Sequence, residues 1–121
     1  TLRRAGQMLR FISLVEVEYS RGIRNGQVAV DLEIREAISF RDGAAAAFAD
    51  LRASLEQLDA TKTERVATIF ANLEEQLTAA SQKTSVASPA EVRAQTEELT
   101  TLLKEVMPEA WQKQDSSADF D

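Results

Sequence analysis

LVEVEYSRGIRNGQVAVDLEIREAISFRDG, Leu14 to Gly43, is where the choice of fold is made. Either the alternating apolar residues of VAVDLEI form a strand that pairs back across Asn25-Gly26, or that pair ends one helix and another begins soon after. Asn-Gly suits both outcomes. It supplies the positive φ angles of a two-residue hairpin turn and the left-handed stop of a helix. The flanks decide between them. From Leu2 to Arg24 a step of about 100° per residue gathers Ala5, Met8, Leu9, Ile12, Val15, Tyr19 and Ile23 into one stripe. Ala37 to Leu58 keep the same period. A helix over about 2–24 and a second over about 31–58 are therefore expected, with Asn25-Gly26 as the stop between them.

The remaining punctuation extends that pattern. Asp31 is suited to cap the second helix, with Glu33 favourable in its first turn. Its core face is Ile34, Ala37, Ile38, Ala44, Ala45, Phe48, Leu51, Leu55 and Leu58. Gly43 is a weak point at which the helix can kink. The small run from Gly43 to Ala47 would let a neighbouring helix approach closely. Thr61, with Glu64 three positions on, reads as a capping box for a third helix over about 62–82. Val66, Ile69, Phe70, Leu73 and Leu77 form its core face. Ser88-Pro89-Ala90-Glu91 starts a fourth over about 89–107, with cap, proline at the first position and glutamate after. Val92, Leu99, Leu102, Leu103 and Val106 form its stripe, with Thr96 inside it. Trp111 is expected to fold back onto the bundle, which would occupy residues 1–111, and 112–121 read as a frayed acidic tail. Short connections make sequential helices antiparallel neighbours. The expected fold is all-α: an up-down-up-down antiparallel four-helix bundle.

Composition narrows the chemistry. The 121 residues suit one domain, and four glycines and two prolines are few for a loop-rich fold. Histidine and cysteine are both absent, which excludes the usual zinc sites, thioether-linked haem, and Cys or His nucleophiles. Any metal must rest on oxygen ligands, which favours hard cations. The net charge of −6 leaves no concentrated cationic face for nucleic acid. No segment is long and apolar enough to span a bilayer. The chain opens on Thr1, which suits a processed form or an excised domain. There is no Gly-rich phosphate loop or nucleophile elbow, and so no nucleotide and no enzymatic activity are expected.

Two groups of polar residues stand out. Glu16 falls between Ile12 and Tyr19 on the wheel of the first helix, and Arg41 between Ile34 and Phe48 on the second. A turn centred near 28–29 would set them at similar heights on facing helices. One reading is a partly buried structural ion pair, Glu16 with Arg41, that fixes register. The other is a polar or metal-binding pocket of Glu16 and Tyr19, with Arg41 holding the charge. Glu33 and Glu36, spaced i, i+3, share a face at the start of the second helix. Glu18 and Tyr19 lie across the same connection, with Asp31 nearby. Together they could hold a hard cation at one end of the bundle. The alternative is a solvated acidic helix start that complements the helix dipole.

The segment LRFISLVEVEYSRGIRNGQVAVDLEIREAISF, Leu9 to Phe40, resembles the N-terminal extracytoplasmic helical domain of bacterial high-affinity, oxidase-linked iron permeases. That family pattern runs Val-Asp-Tyr, a short spacer, Gly-x-Val, then Glu-Tyr-x-Glu at the opening of the next helix. Val17-Glu18-Tyr19 matches the first piece conservatively. Gly26-Gln27-Val28 matches the second, and Glu33-Ile34-Arg35-Glu36 the third with isoleucine for tyrosine. The resemblance implies a domain outside the cytoplasmic membrane, on the periplasmic or cell-surface side. It would work with a membrane permease or its accessory proteins, and would bind iron weakly through carboxylates or dock a permease partner. The family pattern carries onto Glu18, Tyr19, Glu33 and Glu36. Its membrane part has Arg-Glu-x-x-Glu in a spanning helix. Here Arg35-Glu36 is followed by Ala37-Ile38-Ser39, so this segment is not the translocating unit. The competing expectation is a ligand-free structural or protein-interaction bundle, able to oligomerise through Phe11, Leu14 and Val17.

Overall fold

The computed structural model describes residues 2–108. Trp111 and the 112–121 tail lie outside the described residues. Four helices, α1 (Leu2–Gly22), α2 (Asp31–Leu58), α3 (Ala60–Gln82) and α4 (Pro89–Val106), alternate in direction, and α4 closes the ring against α1. This is the expected antiparallel up-down bundle. Its centre is built from the apolar stripes, with Met8, Ile12, Val15, Ile34, Leu55, Ile69, Leu73, Leu77, Leu99 and Leu103 almost wholly buried. Leu58, assigned to the core face of the second helix, is instead 65% exposed at the outer corner where α2 ends.

In the connection between α1 and α2, Asn25-Gly26 turns a hairpin and is not the helix stop expected of it. Helix α1 ends at Gly22, two residues early. Ile23–Arg24 (β1) and Gln27–Val28 (β2) then pair antiparallel, Ile23 with Val28 and Arg24 with Gln27. Asn25 and Gly26 both adopt positive φ, 54° and 75°, as a two-residue hairpin with matching twist requires. The alternation of VAVDLEI does not extend the ladder, because Asp31 already begins α2. The hairpin is thus a minimal clasp between two helices. It is fastened by the Gly22 carbonyl, which accepts from the amides of Ala29 (2.7 Å) and Val30 (3.2 Å).

Two caps fall elsewhere than expected. Val30, extended and without a side-chain cap bond, precedes α2, so Asp31 is its first helical residue and acts only through the helix dipole. Asp59 caps α3 in place of Thr61, its side chain accepting from the Lys62 amide at 2.9 Å. The same residue ends α2 by donating its amide to the Leu55 carbonyl at 2.9 Å. One residue therefore makes the whole corner. Ser88 caps α4 as expected, accepting from the Glu91 amide at 3.1 Å behind Pro89.

Helix α2 runs unbroken through Gly43. A Cβ there would lie 2.9 Å from the Phe11 ring, so the glycine makes room for that ring. Phe11 also packs near Phe40, with centroids 5.9 Å apart. Phe11, Leu14 and Val17 are all partly buried. Among the described residues no helix is long and apolar enough to cross a membrane.

Candidate metal centre

Three carboxylates converge where the clasp holds α1 against α2. Glu18 lies one turn before the end of α1 and is 7% exposed. Glu33 and Glu36 project from the first turns of α2, where i, i+3 spacing stacks them on one face. One oxygen from each of the three lies within 4.8 Å of the others. Glu33 Oε2 is buried without a hydrogen-bond partner. Arg21, one turn along from Glu18, sits 3.5 Å from Glu18 Oε2 with its own side chain largely in solvent.

The surroundings of Glu18 favour its protonated form. Its pKa is pushed up to about 7, first by a hydrogen bond shared with Glu33, then by burial and by the charges of Glu33 and Glu36. Arg21 opposes the shift. A carboxyl that keeps a proton beside two acids can exchange it for a cation, because either charge relieves the same repulsion.

The other candidates lie elsewhere. Tyr19 is fully buried, and its hydroxyl donates to the Ala87 carbonyl at 2.6 Å in the α3–α4 connection. Burial first, and then the charge of Glu91, raise its pKa. As the next residue after Glu18 it is turned about 100° around the helix, towards the core and away from the acids. Asp31 is exposed and faces Lys83 at 3.4 Å. Glu16 accepts from Arg93 of α4 at 2.9 Å and from the Ser20 hydroxyl at 3.4 Å. Neither Tyr19, Asp31 nor Glu16 joins the trio.

The Glu16–Arg41 pair does not form either. Arg41 donates to the Phe70 carbonyl (3.2 Å), pairs with Asp42 (2.9 Å) and Glu74 (3.5 Å), and stacks over the Phe70 ring. The two helices are neighbours, but Glu16 is on the side of α1 facing α4 and Arg41 on the side of α2 facing α3. Height along the bundle can be read from sequence more readily than azimuth.

Two residues at the site had no place in the sequence reading. Arg21 supplies the nearby positive charge, and its i, i+3 spacing from Glu18 was the available signal. Gly22 lets the helices meet: a Cβ on it would lie 2.7 Å from Ile34 Cδ1 and 3.2 Å from Glu33 Cβ. The available signal was a glycine inside a helical pattern that needs no turn. A groove of about 580 Å³ between α1 and α4, bordered by Glu16, Val17, Arg93 and Glu97, includes none of the three acids.

A family model described as the iron permease-associated 4-helix bundle domain matches residues 1–110, a span that takes in all four helices. No curated protein and no solved structure matches the chain significantly.

Proposed function

The chain belongs to the iron permease-associated 4-helix bundle family, and from that premise we propose that it holds iron as cargo on Glu18, Glu33 and Glu36, outside the cytoplasmic membrane. Family membership implies a role with an iron permease. The iron-handling reading is carried by one observation: three carboxylate oxygens from two helices lie within 4.8 Å of one another. Oxygen donors of this kind suit hard cations. With only three protein ligands, a bound ion keeps open coordination positions for water or for the group that next receives it. Such a site favours transfer over storage. The domain is read as non-catalytic, delivering iron to the permease or to a protein that docks with it.

Calorimetry on the domain with ferrous iron under anaerobic conditions, and with manganese and calcium, tests the proposal. Replacing Glu18, Glu33 and Glu36 together by glutamine should abolish the heat of binding. Affinity unchanged in that triple variant would remove the site. For the intact domain, binding should weaken as pH falls through about 7, because Glu18 must lose its proton to become a ligand.

A further inference from the structure

Gly22 sits in the last turn of α1, where an alanine would favour the helix more. Its backbone gives no reason for glycine. Gly26 alone among the described glycines has a positive φ. The reason is space, since a side chain at position 22 would meet Ile34 Cδ1 at 2.7 Å and Glu33 Cβ at 3.2 Å. The second of those atoms belongs to the trio, and Glu18 is one turn back on the same helix. The Gly22 carbonyl also pins the returning chain through Ala29 and Val30. One residue therefore sets both how closely α2 begins beside α1 and where its first turn is anchored.

We infer that Gly22 is a positioning residue for the carboxylate trio, its bare Cα fixing the approach of Glu33 to Glu18. The inference rests on the reading of the trio as a cation site, but the spacing it concerns exists without any ion. An added Cβ pushes aside the tip of the Ile34 side chain, which it would meet at 2.7 Å, and presses Glu33 Cβ and Ile34 Cγ1, both at 3.2 Å, back by a few tenths of an ångström. Glu33 gives way at its own Cβ, which widens its distance from Glu18. Gly43 is the natural control. It is another glycine of the α1–α2 seam, its nearest neighbours are atoms of the Phe11 ring, and it lies ten residues along α2 from Glu33.

The test uses the full chain with Gly22→Ala, Gly22→Ala/Ile34→Val and Gly43→Ala, reading Mn²⁺ affinity and the ion-free crystal structure of each. Gly22→Ala should widen the Glu18–Glu33 separation and weaken Mn²⁺ binding about tenfold, as loss of supporting contacts around metal ligands commonly does. Ile34→Val in that background removes the Cδ1 contact and should restore part of both. Gly43→Ala should lower thermal stability and leave Mn²⁺ affinity as it was. If Gly22→Ala does not fold, the double variant carries the comparison. An unchanged Glu18–Glu33 separation in Gly22→Ala overturns the inference, whether or not Mn²⁺ binds, and so does one in the double variant should it carry the comparison, because the Glu33 Cβ contact at 3.2 Å remains there. A parent domain that binds neither Mn²⁺ nor Fe²⁺, yet shows the widening on substitution, removes the cation reading and keeps Gly22 as the spacer.

Discussion

A hydrogen bond shared with Glu33, together with burial, moves the pKa of Glu18 from 4.5 to about 7. In the unfolded chain the same group titrates at its ordinary value, so between these two pH values the folded state binds the proton more tightly. The contribution to stability is therefore fully present below about pH 4.5 and lost as pH rises through about 7. Glu18→Gln cannot ionise and should escape that loss. Its Tm by scanning calorimetry should exceed the parent's at pH 8 by several degrees and match it at pH 4. Identical pH profiles for the two proteins would mean that Glu18 ionises like any surface acid. At this scale Glu33 and Glu36 were legible because i, i+3 spacing alone puts them on one face. The environment that distinguishes Glu18 comes from across the clasp, and no local spacing records it.

Helix ends show how far local rules reach. Ser88-Pro89-Ala90-Glu91 announces a helix start through three agreeing signals, and the Ser88 cap forms. Thr61 and Glu64 offered an equally good capping pattern, but the helix begins earlier at Asp59, which also ends α2. A one-residue corner leaves no room for a second cap, and a carboxylate accepts a backbone amide more strongly than a hydroxyl does. Asp59→Ala should therefore cost about 1 kcal/mol, whereas Thr61→Ala should fall within about 0.5 kcal/mol of the parent, both read by urea unfolding. The reverse order would return the cap to Thr61. Asn25-Gly26 makes the complementary point. Its positive φ angles could be read from sequence, but not whether they would end a helix or turn a hairpin, since both use the same backbone region.

Across the whole molecule, each seam of the bundle carries an ion pair: Arg4–Asp50 for α1–α2, Arg52–Glu64 for α2–α3, Arg65–Glu98 for α3–α4 and Arg93–Glu16 for α4–α1. Exposed pairs of this kind contribute under about 1 kcal/mol each, so they do more to specify which helix faces which than to hold the bundle together. The buried tie is Tyr19, whose hydroxyl links α1 to the Ala87 carbonyl just before α4. Tyr19→Phe leaves that carbonyl without its donor and should cost about 1 kcal/mol in denaturant unfolding. Mn²⁺ affinity in the same variant should be unchanged. A large loss of affinity would place the phenol among the ligands after all.

Four helices and their alternating order follow from the sequence alone, because the 3.6-residue period is a local property that each segment states independently. The absence of histidine and cysteine likewise restricts any metal to oxygen before a single contact is known. Which face of each helix meets which neighbour was left to the tertiary structure. It sends Glu16 to Arg93, Arg41 to Phe70 and Tyr19 to Ala87, and leaves Glu18, Glu33 and Glu36 together. The physical reason is that rotation of a helix about its axis is fixed by close packing against partners distant in sequence, here by a bare Cα at Gly22 and another at Gly43. No periodicity within one helix contains that information.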